Sequence, residues 1–115
     1  DLSVLRVPKP PEHFTHAWYK FYSFVHLEAL AEGWSRDRIL SEIAALGYPA
    51  FSGSCSEIYL EKCFQEAGLA PAERLPVARE LGETSLMFLV HPTITAEQMA
   101  GYANVVRSVV KQACR

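Results

Sequence analysis

The chain has no long apolar run. Nothing in it approaches the roughly 20 residues that span a bilayer, and the longest candidate, Leu86 to Val90, is strand-sized. It also has no basic block. Its 11 Lys and Arg are scattered against 13 Asp and Glu, for a net charge of -2. A duplex-binding face needs clustered cations, so no nucleic-acid partner is expected. The start, DLSVLRVPKPPEH, lacks the basic-then-apolar order of a signal peptide. Cysteine is sparse. Cys55, Cys63 and Cys114 cannot all pair within the chain, and their spacing is not a zinc pattern. His13, His16, His26 and His91 show no H-E-x-x-H or other ligand spacing, so no metal is expected. There is no internal repeat and no low-complexity tract. Together these absences predict a cytoplasmic protein with reduced thiols and no membrane contact.

What is present suits one packed domain. Half of the 115 residues are hydrophobic, with 6 Phe, 5 Tyr and 2 Trp. A chain of this size buries roughly two-thirds of its unfolded surface. Residues 1–14 read as an extended lead-in, because Pro8, Pro10 and Pro11 bar a helix. The first residue is Asp1 rather than Met, so a piece of a longer chain is expected.

HAWYKFYSFV, His16 to Val25, is rich in aromatic and β-branched residues and predicts a strand. Phe21, Ser23 and Val25 share one face, and Trp18, Tyr22 and Phe24 the other. Two apolar faces predict cover on both sides. Ser35 is a candidate N-cap for a helix carrying Ile39, Leu40, Ile43 and Ala44, with Gly47 as its stop. A short extended piece follows around Tyr48 to Phe51. A second helix is predicted from about Ser56 to Ala67, capped by Ser54 or Ser56 and burying Ile58, Leu60, Cys63, Phe64 and Ala67. Pro76 opens a short helix, Val77 to Leu81, stopped by Gly82. SLMFLV, Ser85 to Val90, is a buried strand. Thr95 and Gln98 have capping-box spacing for a last helix striped with Met99, Tyr102, Val106, Val109, Val110 and Ala113. Gly101 in that helix predicts close packing. The fold class expected is α+β: a small, mainly antiparallel sheet of about three strands, with helices packed on one face.

GYPAFSGSCSE, Gly47 to Glu57, is the stretch that most resembles a site. Glycine amides at a helix start can hold an anion. Yet the loop has no lysine, so it is no P-loop. Locally it reads equally as a cap and turn. Cys55 could be activated by a helix start, but no histidine lies near it in sequence. Glu57 and Glu61, one helical turn apart, read as a solvated face rather than an acid/base couple. The aromatic cluster from Trp18 to Phe24 reads as core rather than as a stacking platform.

Four segments in order resemble one family. YKFYSFV is similar to the first small-domain strand of the DegT/StrS aminotransferases. RDRILSEIAALGYPA resembles its helix and the following G-I-P-T turn, and SEIYLEKCF the helix after the substrate loop. In RLPVARELGETSLMFLVHPTITAEQM, Pro76, Leu81, His91, Pro92, Thr95 and Glu97 or Gln98 fall at the family's intervals. The resemblance covers about 100 residues, from Tyr19 onward.

The resemblance implies the C-terminal small domain, residues 15–115, of a fold-type I, pyridoxal-phosphate enzyme acting on a nucleotide-linked keto-sugar. Residues 1–14 would be the crossover from a missing N-terminal large domain. The second apolar face of the first strand would pack on that domain. In the family the large domain carries the Schiff-base lysine, the pyridinium partner and the phosphate cradle. Lys20, Lys62 and Lys111 match none of these, so no catalytic or cofactor-binding residue and no bound cofactor is expected in this chain alone. The full-length enzyme is implied to be a homodimer using glutamate as amino donor. The loop after G-I-P-T carries substrate contacts in relatives, which implies Ser52, Gly53, Ser54, Cys55 and Ser56 as substrate-binding residues. Here Gly53 and Ser54 stand where relatives often have His or Tyr. The rival expectations are a stand-alone module that binds a phosphorylated ligand through the same loop, and an interaction domain whose apolar strand face meets a protein partner.

Overall fold

KFYSFV does form a strand, but a shorter one than the sequence predicts. In the computed structural model, which describes residues 2–115, it runs Lys20–Val25 (β2, after β1 at Leu5–Arg6). Trp18 ends it on the upstream side. Its φ of 50° is left-handed, unfavourable for a bulky side chain, and its amide donates to His16 Nδ1 at 2.9 Å.

The remaining elements are α1 (Arg36–Ala45), β3 (Ala50–Phe51), α2 (Lys62–Glu66), α3 (Pro76–Thr84), β4 (Ser85–Leu89) and α4 (Ala96–Ala113). The sheet is antiparallel throughout, in the order β1-β2-β4-β3. It has four strands rather than about three, and the extra one comes from the lead-in. β1 pairs Leu5 with Val25, and Val4 beside it is fully buried. The first residues therefore contribute to the core instead of only leading into it.

Register decides which side chains meet the helices. Phe21 lies opposite Phe88 and Ser23 opposite Leu86, so these four share a face with Val25 and Ala50. Helices α1 and α4 cover that face. Ser35 caps α1 by accepting from the Arg38 amide at 3.1 Å, which is worth about 1 kcal/mol. Ile39 and Ile43, one turn apart, are fully buried. Each contributes about 1.5–3 kcal/mol by burial. Gly47, at φ 85°, closes α1 as predicted.

The expected capping box opens α4: Thr95 accepts from Gln98, and Gln98 from Thr95. Tyr102, Val109, Val110 and Ala113 are buried along it. A methyl group on Gly101 would lie 2.6 Å from the Tyr48 hydroxyl, so the close packing expected there is present. Met99, the first residue of the predicted stripe, is exposed.

Two predicted helices differ. The one expected from Ser56 to Ala67 is a 3-10 turn, Ile58–Leu60, followed by α2. Glu61, at ψ 142°, is extended and separates them, and no side chain caps either. Ile58, Leu60 and Cys63 are exposed and Phe64 only half-buried, so no buried face pulls the segment into one helix. α3 is longer than expected. It continues through Gly82 to Thr84. Gly82 is there for clearance, not as a stop, because a side chain on it would collide with Ser56.

Candidate functional site

The second face of β2 carries Tyr22 and Phe24. It is covered partly from within the chain, since the Arg6 guanidinium lies 4.2 Å from the centroid of Phe24 and the 52–57 loop crosses Tyr22. Gly53 makes that crossing possible. Its φ is 94°, and a Cβ there would lie 2.7 Å from the Tyr22 ring. On either side of Gly53 the loop is pinned. The Ser85 hydroxyl donates to the Ser52 carbonyl. The hydroxyls of Tyr22 and Ser54 are 3.3 Å apart. Ser56 sits against Gly82.

All five predicted site residues are thus brought together on one short loop. Ser52, Ser54, Cys55 and Ser56 are exposed, and Gly53 is half-buried against Tyr22. The serines are not caps, and no α-helix starts from the loop. The anion site expected from a helix dipole therefore lacks its helix. What remains is a rim of exposed serines, which can donate to and accept from a polyhydroxylated or phosphorylated ligand. Cys55 has no histidine beside it. Its thiol points to the Glu61 carboxylate at 3.7 Å, which does not make it a nucleophile.

Glu57 closes the loop, and its role is not legible from its spacing to any neighbour. It is not on a solvated helical face with Glu61. Arg74, 17 residues away, binds it with both Nε and Nη2, and the Tyr59 hydroxyl donates to it at 2.6 Å. Bonds from Arg74 and Tyr59 hold its carboxyl at about 2, well below the ordinary 4.5. Burial and the Glu57 bond raise the Tyr59 phenol. Tyr59 in turn accepts from the Leu75 amide at 2.9 Å, so the cluster ties the loop to the start of α3. At the other end of α3, Arg36 Nη1 donates to the carbonyls of Gly82 and Ser85 at 3.1 and 3.0 Å.

The histidines are dispersed. His91 Nδ1 lies 2.8 Å from the Thr93 hydroxyl, and His26 pairs with Glu28 at 3.4 Å. Among the described residues no three His, Cys, Asp or Glu converge as metal ligands. No described helix is long and apolar enough to cross a membrane. Lys20 lies 5.5 Å from the Tyr19 ring.

No family model and no curated protein matches the chain. Solved structures do. An aminotransferase from Psychrobacter cryohalolentis is 50% identical with a TM-score of 0.90, over 96% of this chain and 29% of that one. A DegT DnrJ EryC1 StrS aminotransferase from Brucella abortus is 22% identical with a TM-score of 0.70, over 91% of this chain and 26% of that one. The aminotransferase TlmJ from Streptoalloteichus hindustanus is 17% identical with a TM-score of 0.74, over 95% and 27%. The last two carry the fold alone. In fold the chain matches all three aminotransferases, it shares half its residues with the first, and it spans 26–29% of the length of these relatives.

Proposed function

We propose that the chain is the C-terminal small domain of a cytoplasmic, pyridoxal-phosphate-dependent aminotransferase. Its substrate is a nucleotide-linked keto-sugar on the way to an amino sugar or surface polysaccharide. The observation that supports this most is the 50% identity to the Psychrobacter cryohalolentis aminotransferase over 96% of the chain. The cofactor would supply an electron sink for moving the amino group. The residues here do not assemble a site for it. An imine-forming lysine must stand in a pocket beside a phosphate cradle and an acid, and Lys9, Lys20, Lys62 and Lys111 stand in no such group among the described residues. Those parts are assigned to the large domain of the parent protein.

This chain's own task is to wall the substrate pocket. Ser52, Ser54 and Ser56 present hydroxyls on a rim that Tyr22, Ser85 and Gly82 hold in place. Such groups suit the hydroxyls and phosphates of a nucleotide-sugar. Gly53 and Ser54 leave this rim small, which favours a bulky substrate. In the parent enzyme, Ser54→Ala with Ser56→Ala should raise KM for the nucleotide-sugar severalfold and leave kcat little changed. Unchanged KM would remove the loop from substrate binding.

A further inference from the structure

From Ser54 to Cys63 no residue is buried, and only Glu57 and Tyr59 are half-buried. Ile58 and Leu60 are 58% and 41% exposed. No α-helix begins before Lys62. Neither apolar packing nor a helix therefore fixes the end of the serine loop. Polar bonds to one side chain do. Arg74 Nε donates to one Glu57 carboxylate oxygen at 2.9 Å, and Nη2 donates to the other. Tyr59, the other sheltered residue, donates to Glu57 and accepts from the Leu75 amide. Arg74 Nη2 also reaches Glu83 at 3.4 Å, and Glu83 binds Arg79 at 2.9 Å. Charges of alternating sign thus run from the loop onto α3. A lone exposed ion pair contributes little, but a two-pronged guanidinium grip within a network is the stronger case. The far end of α3 is itself anchored, by Arg36 on the Gly82 and Ser85 carbonyls.

We propose that Arg74 is a positioning residue for substrate: by gripping Glu57 it holds Ser54 and Ser56 where they meet the nucleotide-sugar. The inference rests on the reading of the serine loop as a substrate rim. Arg74 does not itself meet the ligand. Its Nε and Nη2 are committed to carboxylates, so its effect passes through the loop.

The test measures binding of UDP-, dTDP- and GDP-glucose to the parent enzyme by calorimetry, with the tightest of them as the probe. Arg74→Met should weaken binding severalfold. Arg74→Lys keeps the charge but loses the two-pronged grip, and should weaken it less. Lys62→Met breaks an exposed pair with Glu66 on the adjacent α2 and should leave binding unchanged. With Ser54→Ala and Ser56→Ala already present, Arg74→Met should add little, because the groups it positions are gone. A general loss of stability would not produce that coupling. If Arg74→Met unfolds the protein, Glu57→Gln and Arg74→Lys carry the same comparison. Unchanged binding in Arg74→Met, with the serine variant weakened, would overturn the proposal and leave the rim reading intact. Full additivity with the serine changes would also overturn it, since Arg74 would then act by another route. Unchanged binding in the serine variant, or no binding of any of these probes, would instead remove the reading on which it rests.

Discussion

The Ser56 hydroxyl occupies the space in which a Gly82 side chain would lie. This contact joins the end of the serine loop to the last turn of α3. It explains a helical glycine that otherwise costs about 1 kcal/mol against alanine. Gly82→Ala should therefore lower Tm, although the same change in an unobstructed helix would raise it. Ser56→Gly should restore much of the loss. The check is thermal unfolding of both single variants and the double variant, where coupling between the sites is the expected result.

Gly53 meets Tyr22 in the same way, with the added constraint of a φ of 94°. Gly53→Ala should destabilise by about 1 kcal/mol or more, since alanine is disfavoured there and the ring must move. Tyr22→Ala should relieve the clash but not the backbone strain. Denaturant midpoints of the two single variants and the double variant separate these contributions.

Glu57 links stability to acid. Its folded carboxyl lies at about 2, below the ordinary 4.5. The stability it confers is full above the unfolded value and is lost as pH falls toward about 2. Glu57→Gln should lower Tm at pH 7 and flatten the fall of Tm between the two values. A Tm profile against pH that keeps the same acid slope in the variant would show that the Arg74 pair contributes nothing.

Tyr102 is the alkaline counterpart. Its hydroxyl donates to the Pro49 carbonyl, and burial pushes it up to about 12. Its contribution is full below the unfolded value near 10 and is lost as pH rises toward about 12. Tyr102→Phe should cost about 1–2 kcal/mol at pH 7, because the carbonyl loses its partner. It should also remove that part of the alkaline loss. Unfolding curves at pH 7 and pH 11 check both.

The elements legible in the sequence were those whose signals are local. Ser35 and Gly47 bracket α1, and Thr95 with Gln98 opens α4, because caps act within one turn. Apolar stripes named Ile39, Ile43, Val109 and Val110 as core. Long-range partners were not legible. Nothing near Ser56 announces that Gly82 will lie against it, so a helix start and a helix stop were read where the chain makes one contact. Arg74 and Glu57 have no periodic relation, and their pairing exists only once α3 is docked. The lead-in misled for a related reason. Its prolines mask Val4 and Leu5, whose strand character depends on β2 lying beside them. The five loop residues are contiguous in the sequence, but how the loop is held depends on Tyr22 and Ser85 from other strands.

The most direct test is the intact mass of the native gene product in its source cells. A mass several times 12.9 kDa is the result expected for one part of a parent aminotransferase, given that the chain covers 29% of its relative. A mass near 12.9 kDa would contradict it and leave a stand-alone domain.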